Sequence, residues 1–163
     1  MLIAVIIVLM TILIMINDVQ KRNKALLELE EKLSKAGINE IDEMTGVEFE
    51  HYLSILLKKY GYQVRITPGS NDFGADLILE GSERVVVQAK RYKRKVGIKA
   101  VQEINSARTY YKAKEAWVIT NNYFSSQAME LADSTGVKLF DRNELVNLIL
   151  LISTNSSSSR IAE

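Results

Sequence analysis

Asp76, Gln88 and Lys90 stand where strands would normally bury apolar side chains. The run VVVQAKRY, residues 85–92, opens on three valines and then sets an amide and an ammonium two residues apart. Side chains two apart in a strand share one face. Gly81-Ser82-Glu83 supplies a turn between this run and ADLILE, residues 75–80, so the two read as a hairpin. With the turn centred near residues 82–83, Asp76 falls opposite Gln88 to Lys90. A carboxylate, an amide oxygen and an ammonium at one end of a sheet are equipped for metal-assisted phosphodiester hydrolysis. Asp76 offers hard oxygen ligands of the kind Mg²⁺ takes, with Mn²⁺ the alternative ion, and Gln88 and the backbone carbonyl of Ala89 can add neutral oxygens. Lys90 can orient an attacking water and stabilise negative charge on a phosphate. Arg91, Lys93, Arg94, Lys95 and Lys99 come next and could hold a phosphate backbone. A basic run of this kind also reads as a solvated loop.

The flanking elements must position this set. TGVEFEHYLSILLKKYG, residues 45–61, carries Val47, Phe49, Leu53, Leu56 and Leu57 at helical spacing, Thr45 and Glu48 at capping-box spacing, and Gly61 at its end. Residues 62–67 alternate as a strand, and 75–80 and 84–90 form the hairpin. Residues 98–112 predict a helix with Val101, Ile104 and Tyr111 on one side, whose Gln102 either points into the site or falls at an exposed position. Residues 116–120 read as a buried strand, 124–135 as a helix stopped by Gly136, 137–140 as a short strand, and 141–151 as a last helix. Asn121, Asn122, Ser125 and Ser126 have the chemistry to cap a helix or to meet a phosphate at its start. The order α-β-β-β-α-β-α-β-α predicts an α/β domain, a mixed sheet flanked by helices on both faces.

The segments MTGVEFE (44–50), Gly61-Tyr62, DFGADL (72–77), VVVQAKRY (85–92) and VITNNYFSSQAMELA (118–132) occur in an order that resembles the Mrr-type restriction endonucleases. Their core motif is an Asp, then an acid or Gln, one residue, and a Lys. The resemblance spans residues 44–150. It implies a restriction endonuclease-like fold and a Mg²⁺-dependent endodeoxyribonuclease acting on DNA. It further implies a catalytic set of Asp76, Gln88 and Lys90, Gln at this position being usual in the branch. An acid from the first helix joins them, matched best by Glu50 and next by Glu48. The metal ligands so implied are Asp76, Gln88, Ala89 and Glu50. A double-strand cut needs two such sites, hence a homodimer or two encounters. A domain of the same fold that binds or tethers DNA without cutting it is the alternative.

Cysteine is absent, which excludes disulfides and thiolate metal sites, and a net charge of +1 excludes a uniformly basic coat. Charge is segregated instead: residues 28–50 hold eight acids and two bases, whereas 84–99 hold seven bases and no acid. The first sixteen residues carry no charge. Lys21, Arg22 and Lys24 lie just beyond them, and no small-residue cleavage site intervenes. Residues 1–17 are therefore expected to form a transmembrane helix, placing the remainder of the chain in the cytoplasm as part of a single-pass cell-membrane protein, with a buried or interfacial helix the alternative at this length. Residues 18–39 are expected to form a helical stalk with a stripe of Leu26, Leu27, Leu29 and Leu33, residues 40–152 the nuclease-like domain, and 153–163 a disordered serine-rich tail.

Overall fold

The computed structural model describes residues 9–21, 23, 24, 28, 37–69 and 73–151, with the helical backbone of 152–158. The chain divides into two units, Met1–Lys35 and Ala36–Glu163. In the first, helix α1 covers residues 9–21, and its described apolar residues from Leu9 to Val19 are exposed. The transmembrane helix expected over residues 1–17 is not found. Residues 1–8 lie outside the described residues, and no helix among the described residues is long and apolar enough to cross a membrane. The leucine stripe of the expected stalk lies outside the described residues.

The second unit runs α2 (Ile38–Glu43), α3 (Gly46–Lys59), β1 (Gln63–Ile66), β2 (Leu77–Glu80), β3 (Val85–Lys90), α4 (Ile98–Tyr110), β4 (Glu115–Thr120), α5 (Ser126–Thr135), β5 (Lys138–Phe140) and α6 (Arg142–Ser158). The five strands lie in the sheet in chain order. The pairs β1–β2 and β2–β3 are antiparallel, and β3–β4 and β4–β5 are parallel, as short turns and helical crossovers respectively require. Thr45 caps α3: its hydroxyl accepts from Glu48 N, and its N–H donates to Glu48 Oε2 at 2.8 Å. That places Glu48 in a capping role. Gly136 closes α5 at φ 70°.

Helix α2 is not foreseen in the sequence, because six residues with one buried side chain, Ile41, make no periodic pattern. Helix α6 continues to Ser158, well into the stretch expected to be an unstructured tail. Extending a formed helix through Ser and Asn costs only tenths of a kcal/mol per residue, about 0.5 at each. Residues 159–163 lie outside the described residues.

Alternation along the strands divides the core. Ile78, Val86, Ala116 and Val118 pack with Val101, Ile104 and Ala107 of α4 and Ala128 of α5. Leu77, Leu79, Val85 and Val87 alternate with the first two of these, and so face the other side of the sheet, where α3 packs on β1 and β3. Gln88 and Lys90 continue the Val86 row and point toward α4.

Candidate active site

The register of the hairpin pairs Leu77 with Val87 and Ile78 with Val86. One step on, Asp76 stands opposite Gln88. Its N–H donates to Val87 O at 2.9 Å, and its Oδ2 accepts from Ala89 N at 2.7 Å. The carboxylate thus replaces a backbone acceptor just before β2 begins, at the position expected from the turn. Thr67 fixes the backbone behind it, with N–H and hydroxyl both donating to Asp76 O at 3.0 Å.

Gln88 is 1% exposed. Its Nε2 donates to Glu103 Oε2 at 2.8 Å. An ionised carboxylate only accepts, so this contact decides which end of the amide faces α4. Gln88 Oε1 is left buried with no hydrogen-bond partner among the described residues. A buried acceptor in that state costs about 1–3 kcal/mol unless something meets it. Lys90 lies on the same face with its Nζ 3.6 Å from Glu103 Oε2, and Lys99 approaches Oε1 of the same carboxylate at 3.6 Å. A cleft of about 220 Å³ opens beside Lys90 and is walled by Tyr92, Gly97, Lys99 and Glu103. The structure therefore brings Asp76, Gln88, Ala89 and Lys90 together.

Glu50 is half-buried on α3, the helix that covers the other side of β3. Among the described residues, no three acids, histidines or cysteines group closely enough to hold a metal jointly. Any cation here would depend on Asp76 together with neutral oxygens. The orphaned Gln88 Oε1 fits that donor set, since an acceptor without a hydrogen to accept is the chemistry of a ligand for a hard cation.

The basic run forms a loop in which Lys93, Arg94 and Lys95 are exposed and Arg91 is half-buried, and Lys99 is exposed in the first turn of α4. Arg91, Tyr92, Lys93 and Arg94 line a second hollow of about 400 Å³. The loop is fastened to the end of β4. Thr120 Oγ1 donates to Lys90 O at 2.6 Å, Asn121 Oδ1 accepts from Tyr92 N at 2.9 Å, and Asn122 Nδ2 donates to Tyr92 O at 3.2 Å. Asn121, 4% exposed, also donates from Nδ2 to Asp42 Oδ1 at 2.8 Å. Asp42 forms a bidentate pair with Arg142, both bonds 2.8 Å, and Arg142 Nη1 donates to Asn121 O. The Arg142 guanidinium, aided by Asn121, holds the Asp42 carboxyl below the usual carboxylate range against the opposing effect of burial. Ser125 is an N-cap, accepting from Ala128 N, whereas Asn121 and Asn122 fasten the loop rather than cap α5.

Two contributors escape the sequence reading, Glu103 and Asp42. Gln102 is exposed, and its neighbour Glu103 is the one that reaches Gln88. The signal lies in the spacing: Glu103 is three residues after Ala100 and four before Ala107, both buried. Asp42 sits on the short helix that the pattern does not reveal.

The family model Mrr_cat, described as a restriction endonuclease, matches residues 41–149, more than half of the chain. The Escherichia coli (strain K12) protein described as "Type IV methyl-directed restriction enzyme EcoKMrr" is 30% identical over 138 residues, covering 78% of this chain and 45% of that protein. The chain thus spans under half the length of this curated relative. Among solved structures, the one titled "DNA modification-dependent restriction endonuclease AspBHI" superposes with a TM-score of 0.55 at 20% identity, over 78% of this chain and 36% of the other. That likeness establishes a shared fold, a mixed sheet flanked by helices.

Proposed function

The chain belongs to the Mrr-type restriction endonuclease family, and from that premise we propose that it is a metal-dependent endonuclease hydrolysing phosphodiester bonds of DNA. The observation that carries the proposal is the register that sets Asp76 opposite Gln88, whose buried Oε1 has no partner among the described residues, with Lys90 on the same face. Asp76, Gln88 Oε1 and the Ala89 carbonyl would hold Mg²⁺ or Mn²⁺, with Glu50 the further ligand that the family resemblance adds. When bound, the cation supplies charge stabilisation and an acidified water. Lys90 holds the attacking water and the phosphate oxygens in place, and the loop from Arg91 to Lys95, with Lys99, holds the strand by its phosphates. Pinning of the Tyr92 backbone at both its N–H and its carbonyl supplies the rigidity that such positioning requires.

Membrane association belongs to the same proposal. Helix α1 exposes apolar residues on all sides, Met15 at 67% and Leu9 at 60% among them, with Lys21 and Lys24 at and beyond its end. Alkaline extraction of membranes from expressing cells tests this, because a chain recovered wholly in the supernatant refutes the anchor.

The activity is tested by nicking of supercoiled plasmid with Mg²⁺, with Mn²⁺ and with chelator. Asp76→Ala and Lys90→Ala should each abolish metal-dependent nicking with the far-UV spectrum retained. Parent-level cutting by both variants refutes the site.

A further inference from the structure

We propose that Glu103 is a positioning residue of this site: its carboxylate fixes the Gln88 amide so that Oε1 alone is presented, and it holds Lys90 on the same face. The inference rests on the nuclease reading above and extends it to a residue outside the Asp…Gln-x-Lys motif. Gln88 is a primary amide whose two ends are nearly isosteric, so rotation by half a turn would present N–H where oxygen now stands. A donor there would repel a cation. Glu103 Oε2, 2.8 Å from Gln88 Nε2, removes that freedom, because a carboxylate accepts from nitrogen and is repelled by oxygen. The same oxygen lies 3.6 Å from Lys90 Nζ, so one atom orients the amide and attracts the ammonium.

Glu103 is itself located by the segment that leads into Asp76. A Cβ added to Gly74 would fall 2.9 Å from Glu103 Cβ and 3.2 Å from its backbone carbon and oxygen. The backbone two residues before Asp76 therefore rests directly on α4 at Glu103. Lys99, one turn earlier, engages Oε1 and leaves Oε2 to Gln88 and Lys90. The three parts of the site, on the loop before β2, on β3 and on α4, meet at this one carboxylate.

The test uses the full chain and its variants Glu103→Ala and Glu103→Gln, with two measurements. The first is Mn²⁺ affinity by calorimetry. The second is the side-chain amide resonance of Gln88 in a ¹⁵N-glutamine-labelled sample without metal. Glu103→Ala should weaken Mn²⁺ binding about 10–100-fold, the range for loss of a group that orients a metal ligand. It should also shift the Gln88 amide resonance. Glu103→Gln keeps an oxygen able to accept from Gln88 Nε2 but adds a donor and loses the charge that attracts Lys90, so its Mn²⁺ affinity and Gln88 resonance should fall between those of the parent and Glu103→Ala. Parent affinity and an unmoved Gln88 resonance in a folded Glu103→Ala overturn the proposal, as does equal loss in the Ala and Gln variants. A parent chain that neither binds Mn²⁺ nor cuts DNA refutes the nuclease reading instead. The Gln88 resonance then decides the positioning by itself, a shift in Glu103→Ala upholding it and no shift overturning it.

Discussion

Replacing Asn121 with alanine should cost both stability and DNA affinity, by amounts that can be worked from its contacts. The side chain accepts from Tyr92 N at 2.9 Å and donates to Asp42 Oδ1 at 2.8 Å, and the residue is 4% exposed. Loss of the neutral bond costs about 1 kcal/mol and loss of the bond to a charged partner about 1.5–3, so the total is roughly 2.5–4 kcal/mol. A domain of this size is stable by about 5–15 kcal/mol, so the variant should still fold. With a urea slope of about 2 kcal/mol per molar, the unfolding midpoint should fall by roughly 1–2 M. The freed Tyr92 amide unfastens the loop carrying Lys93, Arg94 and Lys95, so binding to duplex DNA measured by fluorescence anisotropy should weaken as well. Asn121→Asp separates the two roles. Its carboxylate still accepts from Tyr92 N but stands against Asp42, so its own pKa is raised by a like charge. Its penalty relative to the parent should therefore be largest above neutral pH and shrink on acidification, as the new carboxyl takes up a proton. An unfolding midpoint equal to the parent's in Asn121→Ala, or a penalty in Asn121→Asp that grows as pH falls, refutes the fastening role.

Asp42 and Gly74 give two further tests. Because Arg142 holds the Asp42 carboxyl below its unfolded value, its contribution is present in full above about pH 4 and is lost as pH falls through the folded value. Asp42→Asn should lower stability at pH 7 and flatten the acid limb of the stability profile, and an acid limb as steep as the parent's is evidence against the pairing. Gly74→Ala combines a positive φ of 91° with the close approach to Glu103, so it should destabilise by about 2–4 kcal/mol in urea unfolding and reduce nicking about tenfold or more. Parent-level stability there would mean that the loop and α4 are not in contact.

How far the sequence discloses this site depends on the range of the forces involved. The register between Asp76 and Gln88 is legible because one short turn at residues 81–83 and the two-residue period of a strand settle it locally. The capping of α3 by Thr45 is legible for the same reason. Glu103 is not, because an acid on a helix with exposed neighbours such as Gln102 and Ser106 looks like ordinary solvated surface until the strand beneath it is known. Nor is the fastening by Asn121 and Asn122, since an amide after a strand has the same local signature whether it caps a helix or bonds a distant loop. Glu50, on the helix across the sheet from α4, enters as a ligand by the family resemblance alone.

The bidentate pair that secures the loop joins residues a hundred positions apart, Asp42 and Arg142. Asp76, Gln88, Lys90 and Glu103, by contrast, come from the single stretch between residues 76 and 103. Contacts of short sequence separation form early and distant ones late. On a growing polypeptide the reactive hairpin and α4 can thus assemble while the clasp that steadies the basic loop still lacks its guanidinium half. The competence to grip a nucleic-acid strand would then arrive last, as α6 emerges, a built-in delay between making the cutting edge and arming it.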